Sequence, residues 1–126
     1  MEIAMKLLTV TIPSYNSQEY MRHAIESVLV GGEDIEILIV DDGSSDNTLS
    51  IAQEYEQKFP TIVRAIHKEN GGHGSAVNTG IQNATGLFFK VLDSDDWFDE
   101  ASLKKILHFI HYIVNESIPL DMIISN

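Results

Sequence analysis

Apolar runs of strand length alternate along the chain with runs in which apolar residues recur every three or four positions. Parallel strands need a long crossover, usually a helix, so this alternation predicts repeated β-α-β units around a mostly parallel sheet. The predicted strands are 7–12, 35–40, 62–66, 87–92 and 120–124, with helices between them. We therefore predict an α/β sandwich.

Turn-forming residues separate these runs. Pro13 lacks the N–H group of a continuing strand, so we expect the first strand to end there and 13–16 to form a loop. Ser17 then suits the N-cap of the first helix. With 126 residues the chain has room for one domain, 1–126. It stops two residues after the last predicted strand, with no polar closing segment, so we expect a protein truncated at its C-terminus.

Composition narrows the choice of partners. Eight basic and 19 acidic residues give a net charge of −11, which disfavours nucleic acid or an anionic membrane and means that a phosphate ligand needs a cation. The absence of cysteine excludes disulfides and thiolate sites. Neither a signal-peptide pattern nor an apolar run near the roughly 18 residues of a membrane span is present, so we expect a cytoplasmic location.

Acidic clusters follow two of the predicted strands. Asp41 and Asp42 follow the second strand, and Asp93-Ser94-Asp95 follows the fourth. The carboxyl ends of parallel strands meet at one edge of a sheet, so both clusters should border one pocket. Divalent cations prefer oxygen ligands, which makes the second cluster a candidate metal site, although turn chemistry alone is an alternative. Alternation along a strand lets only one of Asp41 and Asp42 face the pocket.

A glycine-rich segment, 70–75, precedes the third predicted helix. Glycine permits close approach, so the N–H group of Gly72 is a candidate phosphate contact at the helix N-terminus. Lys68 and His73 flank the segment and are candidate diphosphate ligands. The segment matches neither the dinucleotide-binding pattern nor the P-loop, and glycine acting only as a turn residue is the alternative.

Four motifs occur in a fixed order: TVTIPSYN at 9–16, IVDDGSSD at 39–46, NGG at 70–72 with NTG at 78–80, and LDSDD at 92–96. Together they resemble the nucleotide-binding half of family 2 glycosyltransferases. The resemblance implies a Rossmann-like GT-A fold that binds a nucleotide-diphosphate sugar, often UDP-linked, with Mn²⁺ or Mg²⁺ at a DXD motif. It also implies inverting transfer to the hydroxyl of a glycan or lipid-linked acceptor, in cell-surface polysaccharide or glycan synthesis.

The resemblance also implies roles for individual residues. Those that match the loop packing against the base are Pro13, Tyr15 and Asn16. Asp42 matches the aspartate that bonds the uracil ring. Asp93 matches the DXD residue towards the ribose and Asp95 the one on the metal, with Ser94 between them in the nucleotide-binding loop.

The chain departs from the family pattern at Val77, where many relatives have an arginine before Asn78. That departure leaves Lys68 or His73 to contact the diphosphate. Inversion needs a general base, which in the family comes from the region after the fifth strand, so we expect it beyond Asn126. Any peripheral association with the inner face of a membrane would come through regions absent from this chain.

Two other protein classes have an acidic strand end. The segment 37–42 resembles the first strand of a receiver domain, but a strand and a helix precede it and too few residues follow it. A haloacid-dehalogenase-type phosphatase would use Asp93 as nucleophile and Asp95 as acid and base, but that motif normally follows a first strand. A nucleotide-sugar-binding module without catalysis is a further alternative.

Overall fold

The computed structural model describes residues 5–116, which contain four strands and four α-helices. The elements in chain order are β1 (Leu8–Ser14), α1 (Met21–Leu29), a 3-10 turn (Gly32–Asp34), β2 (Ile35–Asp42), α2 (Thr48–Lys58), β3 (Val63–Lys68), α3 (His73–Asn83), β4 (Phe88–Val91) and α4 (Glu100–Asn115). The strands form one parallel sheet in the order β3-β2-β1-β4. No helix within residues 5–116 is long and apolar enough to cross a bilayer.

Helices cover both faces of the sheet. The main hydrophobic core joins α1, α2 and α4 to one face, and α3 packs against β1 and β2 on the other. The chain steps from β1 through β2 to β3 and then returns through α3 to place β4 on the far side of β1. This arrangement confirms the predicted α/β sandwich and brings every β–α loop to the carboxyl edge.

The pleat of β2 decides which side chains face each layer. The side chains packed into the core with α1, α2 and α4 are Ile35, Ile37 and Ile39. Leu38 and Val40 are equally buried but belong to the opposite face. Continuing this alternation places Asp41 on the α1 and α2 side and Asp42 on the α3 side.

The face beneath α3 contains a buried ionised carboxylate, Glu36, which is 5% exposed. Thr9 Oγ1 and the Thr85 N–H group donate to Glu36 Oε1 at 2.8 and 2.9 Å, and Arg64 Nη1 lies 3.3 Å from Oε2. Burial raises the pKa of Glu36, but these donors outweigh it and hold that pKa below its usual range. Glu36 therefore connects β2 with β1, β3 and the segment before β4.

The first strand is longer than the sequence predicts, because β1 continues through Pro13 to Ser14. The carbonyl of Thr11 accepts from the Leu92 N–H group, and Pro13 faces the same side two residues later. Since β4 ends at Val91, the missing N–H group of Pro13 leaves no strand partner unpaired. The predicted fifth strand, 120–124, lies outside the described residues.

Gly80 brings α3 close to β1. A Cβ atom at Gly80 would lie 2.4 Å from both Cγ2 and Oγ1 of Thr11, so Gly80→Ala should lower the free energy of unfolding by about 1–3 kcal/mol. Gly74 in the same helix has no atom within 4 Å of a Cβ, so Gly74→Ala should leave stability unchanged or raise it by up to about 1 kcal/mol. Urea unfolding followed by circular dichroism measures both, and equal effects would contradict the close approach.

Candidate functional site

A pocket opens at the carboxyl edge of the sheet, where the two acidic clusters meet. The sequence-predicted residues that line it are Pro13, Tyr15, Asp42, Gly72, His73, Asp93, Ser94 and Asp95. The pocket also contains residues that the predictions did not assign to the site, namely Ser14, Ser17, Tyr20, Asn70 and Ala76. Asn16 and Lys68 are not among the lining residues.

Asp42 is the most heavily bonded side chain of the pocket. Its Oδ1 accepts from Lys68 Nζ and the Gly71 N–H group, both at 2.9 Å. Its Oδ2 accepts from the Gly72 N–H group at 2.9 Å and from Asn70 Nδ2 at 3.3 Å. Burial raises the pKa of Asp42, but the Lys68 ammonium and the two glycine N–H groups outweigh it and hold that pKa below its usual range. The carboxylate is therefore ionised and fixed.

These contacts change the roles expected for the glycine-rich segment. The sequence suggests that its N–H groups reach a phosphate, but those of Gly71 and Gly72 donate to Asp42 instead. Lys68, a candidate diphosphate ligand, also contacts Asp42 and the carbonyl of Glu69. The segment binds an anion through backbone N–H groups, and that anion is the chain's own carboxylate.

Asp41 lies on the other face, as the alternation requires. Its side chain is buried, accepts from the Ser44 N–H group at 3.1 Å and lies 2.8 Å from His67 Nδ1. Asp41 does not line the pocket. Of the two neighbouring carboxylates, Asp42 alone is placed to meet a ligand there.

Asn16 holds two loops together instead of lining the pocket. It has a positive φ of 48°, which asparagine tolerates better than most residues. Its N–H group donates to Ser44 Oγ at 2.9 Å, and its Oδ1 accepts from the Ser45 N–H group at 2.9 Å. Asn16 thereby fixes the β1–α1 loop, with Tyr15, against the β2–α2 loop.

The acidic loop after β4 presents two exposed carboxylates, Asp93 and Asp95, on either side of the buried Ser94. Ser94 Oγ lies 2.7 Å from Ser17 Oγ, which fixes the middle of the loop to the segment after β1. Ser17 was expected to cap α1, but that helix begins at Met21 without a side-chain cap. Sequence periodicity offered no signal for the contact between these two serines.

The carboxylates of this loop fit a divalent cation only in part. Asp93 Oδ1 lies 2.8 Å from His73 Nε2, whereas the Asp95 side chain makes no hydrogen bond within residues 5–116. Over that same range, no three His, Asp or Glu side chains are grouped to hold a metal ion by themselves. Two carboxylates with the remaining positions filled by phosphate oxygens and water suit Mg²⁺ or Mn²⁺ bound together with a substrate.

The segment that follows the acidic loop lies against α1. The rings of Trp97 and His23 stack with centroids 4.5 Å apart, and the Phe98 N–H group donates to Ser27 Oγ at 3.0 Å. Trp97 is 54% exposed despite this contact. Together with Ser17, α1 therefore supports the acidic loop at its middle and at its end.

The chain is similar to known proteins over most of its length. The family model for glycosyl transferase family 2 matches residues 9–113. The chain is 41% identical over 125 residues to an uncharacterized glycosyltransferase of Mycoplasma pneumoniae, the MG025 homolog, covering 94% of this chain and 38% of that protein. It is 37% identical over 111 residues to the minor teichoic acid biosynthesis protein GgaB of Bacillus subtilis, covering 86% of this chain and 12% of that protein.

Two solved structures have folds similar to that of this chain. TarS 1-349 of S. aureus in complex with UDP-GlcNAc is 29% identical with a TM-score of 0.74, over 84% of this chain and 31% of that chain. A mannosyltransferase from Pyrobaculum calidifontis in complex with GDP-Man and Mn²⁺ is 24% identical with a TM-score of 0.66, over 82% of this chain and 32% of that chain, and shows the fold alone.

The chain thus spans well under half the length of each of these relatives. These matches rule out the receiver-domain and phosphatase alternatives, because proteins of those two classes belong to other sequence families. By the match over residues 9–113 and the shared parallel sheet, the chain belongs to glycosyl transferase family 2 and has the α/β fold of GT-A glycosyltransferases.

Proposed function

We propose that residues 1–126 are the nucleotide-diphosphate-sugar-binding part of a glycosyltransferase that moves a sugar from a UDP-linked donor to an acceptor hydroxyl. The observation that carries the proposal is the meeting of Asp42 and the Asp93-Ser94-Asp95 loop in one pocket. The UDP-GlcNAc complex of TarS supports a uridine nucleotide. The teichoic acid relative supports a cell-surface polysaccharide or glycan product.

The base would bind at the end of the pocket formed by Pro13, Tyr15 and Asp42. Tyr15 is 52% exposed and offers a ring face for stacking. A carboxylate has about four acceptor positions, and four donors already surround Asp42. The longest contact, from Asn70 Nδ2 at 3.3 Å, is the one that an imide N–H group of the base would replace. Asn70 Nδ2 keeps its 3.0 Å bond to the Asp42 carbonyl.

The diphosphate would bind between the N-terminus of α3 and the acidic loop. His73 begins α3 and lines the pocket, with its Nε2 2.8 Å from Asp93 Oδ1, so a diphosphate bound there would lie beside the imidazole ring and at the positive end of the helix. Asp95, with Asp93, would hold Mn²⁺ or Mg²⁺. That cation would supply Lewis-acid stabilisation of the charge that develops on the departing diphosphate. Because the chain carries a net charge of −11, a cation between its carboxylates and the phosphates removes their repulsion.

The reaction also needs a group that deprotonates the acceptor hydroxyl. We propose that this base, together with the glycan or lipid-linked acceptor site, belongs to a region after residue 126, as the family resemblance implies. Inversion at the anomeric carbon is part of the same proposal. Residues 5–116 would then bind the donor, orient its diphosphate and hold its uracil ring in place.

Titration with UDP-GlcNAc, UDP and GDP, with and without Mn²⁺, tests the proposed function. We expect the uridine nucleotides to bind more tightly than GDP, because the one replaceable contact at Asp42 suits the single imide N–H group of uracil better than the two donor groups of the larger guanine. We expect Mn²⁺ to strengthen UDP binding about tenfold or more, which corresponds to about 1.4 kcal/mol. Isothermal titration calorimetry measures both comparisons. Absence of nucleotide binding under all conditions would overturn the proposal.

Replacing a metal ligand should remove the effect of the cation. Asp95→Asn keeps the side-chain shape but loses the charge that a hard cation needs, so Mn²⁺ should strengthen UDP binding by less than about twofold. Asp96→Asn is the matched control, since Asp96 is an exposed neighbour outside the pocket lining. That variant should keep the full Mn²⁺ effect. Equal behaviour of the two variants in calorimetry would rule out Asp95 as a ligand.

The two carboxylates at the end of β2 should differ in their effect on nucleotide binding. Asp42→Asn removes the charge that Lys68 pairs with and replaces one acceptor oxygen with an NH2 donor, so uridine monophosphate should bind about tenfold or more weakly. Asp41→Asn changes a side chain that bonds Ser44 and His67 outside the pocket, and its nucleotide affinity should stay within about twofold. Dissociation constants measured at matched stability decide the assignment, and a larger effect of Asp41→Asn would reverse it.

A further inference from the structure

We propose that Lys68 is a positioning residue for base recognition, which acts through Asp42, and that it is not a ligand of the diphosphate. The inference rests on the proposed uridine-nucleotide function and assigns a role that the sequence pattern does not give.

The ammonium group of Lys68 is directed into the chain. Lys68 Nζ lies 2.9 Å from Asp42 Oδ1 and 2.5 Å from the carbonyl oxygen of Glu69. The side chain is only 18% exposed, and that of Asp42 is 5% exposed. Lys68 does not line the pocket, whereas Asp42 does. A ligand would therefore meet the carboxylate, with the ammonium group behind it.

The charge of Lys68 compensates a buried anion. Within residues 5–116, Lys68 is the only cationic side chain that pairs with Asp42. The two neighbouring histidines pair with other carboxylates: His67 with Asp41 on the opposite face, and His73 with Asp93 across the pocket. Loss of the ammonium group would leave the Asp42 charge with only neutral donors. A buried charge that has lost its ion-pair partner is strongly destabilising.

Lys68 and the glycine-rich segment donate to the same oxygen of Asp42. The Gly71 N–H group donates to the same Oδ1, and a Cβ atom at Gly71 would lie 2.9 Å from Lys68 Nζ. The ammonium group thus packs directly against the backbone that surrounds Asp42. Removing it would free one side of the carboxylate and of the segment 70–72, so the acceptor oxygens offered to the base would lose their fixed direction.

The two possible roles of Lys68 predict different ligand dependence. A lysine that binds the diphosphate contributes more to binding UDP than to binding UMP, because UMP has one phosphate fewer. A lysine that positions Asp42 contributes equally to both, because the two ligands carry the same base. The ratio of the two dissociation constants therefore separates the roles without reference to the absolute affinity.

The test measures UMP and UDP binding by calorimetry in the presence of Mn²⁺ for the wild type and for Lys68→Met. We expect both ligands to bind about tenfold or more weakly, with the ratio of their dissociation constants within about twofold of the wild type. Lys104→Met is the matched control, since Lys104 is exposed and, among residues 5–116, pairs only with Glu100. It should bind both ligands as the wild type does. Weaker binding of UDP alone, or unchanged binding of both, would overturn the inference.

A measurement on the unsubstituted chain covers the case in which Lys68→Met does not fold. The ¹³Cε signal of Lys68 should shift on saturation with UMP by as much as it does with UDP, because the base alone reaches Asp42. A shift with UDP only would overturn the inference. If the wild type binds neither nucleotide, the proposed function fails instead, and the two failures are distinguishable.

The pH dependence of UMP binding gives a readout that a purely structural lysine would not change. The Lys68 ammonium helps to hold the pKa of Asp42 below its usual range, so removing it should raise that pKa. Binding of UMP to Lys68→Met should then decline at a higher pH than in the wild type as the solution is acidified. Coincident acid limbs in the two proteins would contradict a role through Asp42.

Discussion

The ionised carboxylate of Asp42, buried at the end of β2, determines how the neighbouring loop is folded. A charge that is 5% exposed needs donors on every side, and the chain supplies them from Lys68 at the end of β3 and from the short stretch that follows. Gly43 has a φ of 72°, and a Cβ atom there would lie 2.6 Å from the backbone nitrogen of Asn70. Glycine at 43 therefore lets this stretch approach, and α3 begins directly after it.

The sequence was sufficient for the features that follow from periodicity. A short run of apolar residues identified β2, and the rule that parallel strands end at one edge brought the loops after β2 and β4 to one pocket, as the structure shows. The pleat also predicted that only one carboxylate of the Asp41 and Asp42 pair would face it. These features depend on residues close together in the sequence or on a general rule of topology.

Contacts between distant residues could not be predicted in the same way. A hydroxyl such as that of Ser17 suits a helix cap and a loop contact equally, and only the folded chain shows that it meets Ser94, 77 positions later. Glycine N–H groups suit any anion, so the sequence could not distinguish a bound phosphate from the carboxylate of Asp42. The first strand continues past its predicted end at Pro13 because the adjacent strand, β4, is short and needs no N–H group there.

The stacking of Trp97 on His23 has a practical consequence for spectroscopy. Trp97 is the only tryptophan of the chain and lies two positions after Asp95, so all indole emission comes from the end of the acidic loop. Trp97 is about half exposed, and its ring stacks on the imidazole of His23. Movement of the loop relative to α1 would change both surroundings at once. The chain thus contains an intrinsic fluorophore at its candidate metal site, without any label.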